Sequence, residues 1–529
     1  MSQTHQGKQI RVESLKDEGN RLFVAKKFEA AIKKYGEAIA LDDQNPILFA
    51  NRAACNLSLR RYMDAAIDAA KATHLNPNYP KAWARLATAY DELRQFEQSV
   101  ICWSKALETL PQENLAESEL KQKEQYEKGC AAARRAEKDW KKETQGRTYT
   151  TRVTPENSQL PWVRAMEFKV ELERERKYDS SAWAIASAYE QFLAGTTEMD
   201  DVKTFPVAGG LSAVAFNLRS IANITNAILC DRRVLQFADG AWVAKVNKQI
   251  RGETAGTGAW TNAGPTTLMQ EANARRVEKG WGHVRQAVST TVRCWILLGH
   301  LQGGLNQNEV LQLEYLDRVL EVVRWGRREW NKVPTENRGV VFLESFMYGV
   351  QGLHMEALMK VSSREKNIEK KLQRLEELRK EADEVIDSVS GNPIPPREND
   401  PSFAAAYYYY PRGSAYSMKG YYHREKAKLT TDEAEAKRLM REAAKEYMSA
   451  CQNFYEGDEH HSWFMSIALE NMVSGSAPPC DIAECMENLK AALPKMQKIW
   501  AKSAMAMQGR DARIQMQLTH EAAPRGQLP

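Results

Sequence analysis

Residues 31–45 read AIKKYGEAIALDDQN, residues 65–79 read AAIDAAKATHLNPNY and residues 99–113 read SVICWSKALETLPQE. Laid over one another, they place Ala31, Ala65 and Ser99 in one column and Tyr35, Ala69 and Trp103 in a second. Ala38, Ala72 and Ala106 form a third column, and Asp43, Pro77 and Pro111 a fourth, each at a spacing of 34. A fixed period of this length marks stacked helical hairpins, in which small residues sit where two helices approach closely and aromatic residues fill the layers between them. Pro77 and Pro111 are expected to end the second helix of their hairpins, because proline cannot continue a helix and restricts the residue before it.

This pattern resembles the tetratricopeptide repeat family, with repeats at 12–45, 46–79 and 80–113. Gly19 in the first repeat and Trp83 with Tyr90 in the third fit the family pattern. Asn56 departs from it, standing where the first helix of repeat two would carry an aromatic residue, and is expected to cost packing locally. A three-repeat stack must cover its last apolar face. The charged segment 117–142 is expected to do so as a capping helix, with Leu120, Tyr126, Ala131 and Trp140 as inward contacts. The predicted fold class is therefore all-α: a three-repeat superhelix with its cap, residues 12–142, followed by a larger region of helical hairpins.

Beyond the cap, residues 143–161 are polar, include Gly146 and Pro155, and read as a linker. Helical patterns then run from Trp162 to Ala194, Leu211 to Gln249, Thr266 to His300, Asn308 to Lys332 and Gly339 to about Ser390. They define a helical domain at 162–390 of no recognised family. The stretch Gly252 to Pro265, rich in Gly, Thr and Ala, reads as an exposed mobile loop. Ile368, Leu372, Leu375, Leu378, Ala382 and Val385 line one side of the last helix, which suggests a hairpin or short coiled coil. A proline-rich linker follows at 391–401. Residues 402–504 echo the opening repeats, since Ala443, Tyr447 and Ala450 repeat the spacing of Ala31, Tyr35 and Ala38, with Gly420 in the preceding helix. That region is predicted to be a degenerate repeat-like pair of hairpins, with 505–529 as a flexible tail.

A chain of 529 residues exceeds what one core supports and is read as multidomain. Hydrophobic residues at 43% and charged residues at 27% are ordinary globular values, so most of the chain should fold. The net charge of +5 comes from interleaved Lys, Arg, Asp and Glu, which gives no basic face for nucleic acid. Eight cysteines without disulfide-framework or metal-ligand spacing suit a reducing compartment. The polar start and the lack of any apolar run of membrane-spanning length point to a soluble, cytoplasmic protein without membrane association.

Lys16, Asn20, Asn51, Lys81 and Arg85 fall on the first helices of the three repeats, the helices that line the concave face of such a stack. Lys16 with Asn20, and Lys81 with Arg85, are four apart and so one turn above each other. Three cations and two amides in one groove suit a ligand that offers two carboxylates close together. These five positions resemble the dicarboxylate clamp of co-chaperones that hold the C-terminus of the seventy- and ninety-kilodalton heat-shock chaperones. The resemblance implies a ligand ending in Glu-Glu-Val-Asp, whose final residue presents its side chain and chain-end carboxylate together. Phe23, about one turn beyond Asn20, would offer either an apolar wall to that peptide or packing within the repeat.

Other clusters carry weaker chemistry. Glu456, Asp458, Glu459, His460 and His461 are dense in ligand types, but adjacent helical residues point about 100° apart, so a polar loop and helix start is the better reading. Cys480 and Cys485 read as ordinary thiols. Gly252 to Gly258 lacks the ending of a phosphate loop. Tyr407 to Tyr410 and the tryptophans are expected in packing rather than at nucleobases or cofactors. No catalytic residues, metal ligands or cofactor are assigned. The sequence thus predicts a non-enzymatic co-chaperone or adaptor whose repeats dock a chaperone tail and whose residues 162–504 bind a client, a second protein partner or another copy of the chain. The alternatives are a scaffold for another acidic peptide, or an enzyme with an unfamiliar all-helical domain. A pocket with converging ionisable groups within 161–390 would favour the enzyme.

Overall fold

The computed structural model describes residues 2–111, 113, 115–144, 159–201, 203–207, 211–235, 240–260, 263–394, 396 and 400–520. The chain opens with α1 (Ser2–Val24), α2 (Phe28–Leu41), α3 (Pro46–Ser58), α4 (Tyr62–Leu75), α5 (Pro80–Glu92), α6 (Phe96–Glu108) and α7 (Glu117–Thr144). It continues with α8 (Pro161–Glu175), α9 (Ala182–Asp200), an antiparallel hairpin of β1 (Lys203–Val207) and β2 (Leu211–Ala215), then α10 (Ser220–Asp231) and α11 (Gly240–Thr257). Next come α12 (Pro265–Gly304), α13 (Glu309–Glu329), α14 (Thr335–Arg338), α15 (Glu344–Arg364), α16 (Ile368–Gly391) and α17 (Pro401–Ala404). The chain closes with α18 (Tyr410–Leu429), α19 (Glu433–Cys451), α20 (Glu459–Ser474), α21 (Pro479–Trp500), α22 (Ala504–Met507) and α23 (Arg510–His520). The predicted all-α class holds, with the β1–β2 hairpin added where the sequence suggested the start of a helix.

Two compact units result: residues 1–149 with 260–273 and 298–318, and residues 150–259 with 274–297 and 319–529. In the first, consecutive helices from α1 to α7 pack as neighbours. The columns read from the sequence are its core: Ala31, Ala65, Ser99, Ala38, Ala72, Ala106, Ala69, Tyr35 and Trp103 are all buried. A Cβ at Gly19 would stand 2.6 Å from the Tyr35 ring, so only glycine lets α1 approach α2 there. Pro46 and Pro80 begin their helices, where a missing N–H costs nothing. The turn within each repeat carries a left-handed residue, Lys26, Arg60 and Arg94, again at a spacing of 34.

The structure shows what stands in place of the aromatic residue at Asn56, and it corrects the inward face of α7. Asn56 is buried and its Nδ2 donates to Asp68 at 3.1 Å, and Asp68 also takes two bonds from Arg52, at 2.9 and 2.7 Å. A buried, satisfied polar network replaces the missing aromatic residue. In α7 the inward residues are Tyr126, Cys130 and Ala133, whereas Leu120 and Ala131 are exposed. The spacing of four and then three follows one face of a helix, and Ala131 lies off it. Trp140 reaches Phe96 at 6.3 Å between ring centres. The linker expected at 143–161 lies largely outside the described residues.

The unit also takes in segments far along the chain. Asn308 Nδ2 donates to the Leu93 carbonyl at 2.7 Å, Arg318 to Asp64 at 2.7 Å, and the Met63 amide to Glu314 at 2.9 Å. These contacts fall on the second helix of repeat two and on the turn after α5. Burial pushes the Glu314 carboxyl up to about 8, against the opposing pull of Arg318. The unfolded value is near 4.3, so the folded state binds the extra proton between those values. Stability from this group is then full below about 4.3 and is lost as pH rises toward 8. Glu314→Gln, which keeps an acceptor for Met63, is expected to gain thermal stability over the wild type increasingly from pH 5 to pH 9. A difference that does not vary with pH would refute this assignment.

In the second unit, the expected loop at Gly252 to Pro265 is instead helix as far as Thr257, and Glu253 and Thr257 are buried. Trp330 meets Trp281 at 5.2 Å, Trp325 at 4.7 Å and Phe342 at 5.4 Å, so these tryptophans pack as expected. Tyr410 stacks on Phe454 at 4.8 Å, and Tyr408 meets Tyr348, which places the tyrosine run between helices. The pattern read as one helix from Gly339 to Ser390 is two, α15 and α16, which pack on each other. Further on, α18 to α21 pack in sequence, and Gly420 meets the Tyr447 ring as Gly19 meets Tyr35. The flexible tail expected from 505 is corrected as far as His520: α22 and α23 are ordered helices, with Arg510 and Ile514 buried.

Candidate functional site

The first helices of the repeats, α1, α3 and α5, carry the five polar residues singled out above. Three of them are joined by hydrogen bonds. Arg85 Nη1 donates to Asn51 Oδ1 at 3.3 Å, and Asn51 Nδ2 donates to Asn20 Oδ1 at 3.2 Å. Asn20 Oδ1 also accepts from the Tyr35 hydroxyl at 2.7 Å. Tyr35 is buried beneath the pair, and burial pushes its hydroxyl up to about 12, so it stays a donor. With its oxygen engaged twice, Asn20 keeps its amide hydrogens for another acceptor.

Arg85 is partly buried, and that burial lowers its pKa, with Tyr79, Tyr126 and Tyr35 around it. Among the described residues no carboxylate pairs with it. Lys81 lies one turn earlier on α5, exposed and likewise without an ion pair among the described residues. Lys16, one turn before Asn20, pairs with Glu13 on its own helix. An exposed pair of this kind contributes little, so an incoming carboxylate could take Lys16 over at small cost. Among the described residues neither lysine side chain hydrogen-bonds to the Arg85–Asn51–Asn20 chain. Phe23 packs edge-on against Phe28 at 5.5 Å, so its ring serves the core of the first repeat. Sequence reasoning missed Tyr35 as the residue that orients Asn20; its column marked it only as a space filler.

The histidine and acid cluster near 458 has a different use. Asp458 caps α20, accepting from the His460 amide at 2.8 Å, and pairs with Arg233 at 2.9 Å. His461 Nδ1 faces the Cys451 carbonyl at 2.8 Å. Among the described residues no group of three or more His, Cys, Asp or Glu is placed to hold a metal ion, and no helix is long and apolar enough to cross a membrane.

No protein-family model matches the chain. Over 95 residues, 18% of this chain and 16% of the relative, it is 38% identical to the "Heat shock protein sti1 homolog" of Schizosaccharomyces pombe. Over 92 residues, 17% of this chain and 16% of the relative, it is 37% identical to the "Hsp70-Hsp90 organizing protein" of Triticum aestivum. The matched residues thus span 16% of each of these two relatives. Among solved structures, "Second TPR of Spaghetti (RPAP3) bound to HSP90 peptide SRMEEVD" is 36% identical over 20% of this chain and 96% of that one, at a TM-score of 0.19.

Proposed function

We propose that this chain, a tetratricopeptide repeat protein related to heat-shock co-chaperones, is an adaptor that holds the acidic C-terminus of a seventy- or ninety-kilodalton heat-shock chaperone. The observation that carries the reading is the state of Arg85. A partly buried guanidinium, hydrogen-bonded to an amide and paired with no carboxylate among the described residues, is a receptor for one. Lys81 one turn away supplies charge for a second carboxylate. Lys16, Asn20 and Asn51 complete the proposed clamp, and Phe23 borders it. A peptide ending in Glu-Glu-Val-Asp presents two carboxylates on its last residue, which matches that spacing of donors. The likeness to a heat-shock protein sti1 homolog and to an Hsp70-Hsp90 organizing protein supports the same reading.

In this reading the protein is cytoplasmic and non-enzymatic, and residues 162–504 meet a second protein partner. The test is a fluorescence-polarisation titration of the full chain with a Glu-Glu-Val-Asp peptide. The expected Kd is on the order of a few micromolar, about −7 to −8 kcal/mol, weakening as salt screens the charges. The same peptide amidated at its C-terminus loses one carboxylate and should bind at least about tenfold more weakly. Equal binding of the two forms would point to a general receptor for acidic peptides, and no binding of either would overturn the proposal.

A further inference from the structure

The second unit contains a cavity of about 440 Å³ bounded by α10, α11, α12 and the segment around α14. That is within the range of small-molecule sites, about 300–1,000 Å³. Its lining combines the apolar Leu218, Ile221 and Val340 with two arginines, the buried Arg293 and the exposed Arg285.

Arg293 is 6% exposed. Its Nη1 donates to the Thr225 hydroxyl and the Asn226 side chain, each at 2.7 Å, and to the Ala222 carbonyl at 3.2 Å. Its Nε reaches the Ser289 hydroxyl at 3.4 Å, and the guanidinium lies 5.4 Å from the centre of the Phe346 ring. All of these partners are neutral, and Nη2 has no hydrogen-bond partner among the described residues. Three arginines are buried among the described residues. Arg318 pairs with Asp64 and Arg510 with Glu459, while Arg293 pairs with no carboxylate. A buried charge is costly without an opposite charge beside it. The fold therefore retains, at the wall of a cavity, a buried cation that makes no direct ion pair among the described residues and is acted on by Tyr407 and Glu253 only through space.

Glu253 narrows the chemistry. It lines the same cavity at 2% exposure, and its Oε1 is committed to the Ile221 amide and the Gln249 side chain, both at 2.9 Å. It thereby holds the start of α10 rather than pairing with Arg293. With Arg285 and Glu336 also in the lining, two cations and two carboxyl groups face the cavity, a balance that suits a singly charged ligand better than a dianion such as phosphate.

We propose that this cavity binds a small organic monocarboxylate, whose carboxylate pairs with Arg293 and whose apolar body lies against Leu218, Ile221 and Val340. The proposal is independent of the reading given to the repeats. It is tested on the full chain by isothermal titration with hexanoate and benzoate, with hexanamide and benzamide as neutral matches, and with inorganic phosphate. At least one carboxylate should bind saturably, with its amide at least about tenfold weaker and phosphate giving no heat. Arg293→Gln should abolish binding. Because that residue also ties α10 to α12, Val340→Trp provides a second variant at an exposed position of the rim, filling the cavity while leaving Arg293 in place. Loss of binding in Val340→Trp, with an unchanged circular dichroism spectrum, supports the site even where Arg293→Gln does not fold. Absence of carboxylate binding, equal binding of acid and amide, binding of phosphate instead, or binding that survives Val340→Trp would each overturn the proposal.

Discussion

Arg233→Met is expected to destabilise the second unit by about 3–5 kcal/mol, the range for breaking a buried ion pair by removing one partner. Arg233 is the hub of a network that no local pattern announces. It donates to Asp231 at 2.6 Å, to Asp458 at 2.9 and 3.0 Å and to Glu459 at 3.3 Å, and its guanidinium lies 3.8 Å above the Trp500 ring. Glu459 in turn receives Arg510 from α23 at 2.6 Å. Methionine would keep much of the volume over Trp500 but leave the buried Asp231 and Asp458 carboxylates without the guanidinium that pairs with both.

The pH dependence separates this effect from simple loss of packing. Burial alone would raise the Asp458 carboxyl, but Arg233 and His460 hold it well below the usual carboxylate range. A depressed folded value contributes stability above the unfolded value, near 3.9, and loses it in acid. The gap between wild type and Arg233→Met should therefore be widest at neutral pH and shrink below about pH 5. Asp458→Asn added to Arg233→Met should recover part of the loss, because it removes one stranded charge while keeping an acceptor for the α20 amides. Urea midpoints, with hydrogen–deuterium exchange of α20 and α21, measure both effects. An unchanged midpoint in Arg233→Met would refute the network's role.

The contrast between this network and the repeats shows what a sequence can display. The repeats were legible because Ala31, Ala65 and Ser99, and the columns beside them, meet the same packing demand every 34 residues, so one physical constraint is written three times. The Arg85–Asn51–Asn20 chain was legible for the same reason, since helix phase and repeat register together fix which side chains share a face. Arg233 and Asp458 are 225 residues apart and meet once, so nothing in either neighbourhood repeats to mark them. Lys26, Arg60 and Arg94 do repeat, but a left-handed conformation in a long polar residue leaves no compositional trace. The stretch from Gly252 misled because Gly and Thr have low helix propensity. Here Thr257 bonds back to the Glu253 carbonyl at 2.7 Å and both side chains are buried, so tertiary packing overrides the local preference. Asn56 was legible as an exception, but its partner Asp68, which also takes Arg52, lies on the next helix and nothing in the local pattern marks it.

Arg85→Ala is expected to reduce binding of a Glu-Glu-Val-Asp peptide beyond detection, with Lys81→Ala weaker in effect. Truncating one partner of a partly buried, hydrogen-bonded charge pair costs about 2–5 kcal/mol, which is roughly thirtyfold or more in Kd. From a starting affinity of a few micromolar, that places the variant at about 0.1 mM or weaker. The loss should arise at the ligand rather than in the fold. Arg85 donates only to Asn51 at 3.3 Å and pairs with no carboxylate among the described residues, so its removal strands no buried anion. The thermal midpoint of Arg85→Ala should therefore stay within a few degrees of the wild type, in contrast with Arg233→Met. Lys81 is exposed, its interaction is screened by solvent, and its loss should cost about 1 kcal/mol and flatten the salt dependence. Tyr35→Phe adds a control on geometry: it removes the donor that fixes the Asn20 oxygen and should weaken the peptide without altering any charge in the groove. The salt dependence of Tyr35→Phe should accordingly parallel that of the wild type. Full peptide affinity in Arg85→Ala would dismiss the clamp, whatever the relatives bind, because no other partly buried cation in this constellation is without a carboxylate of its own.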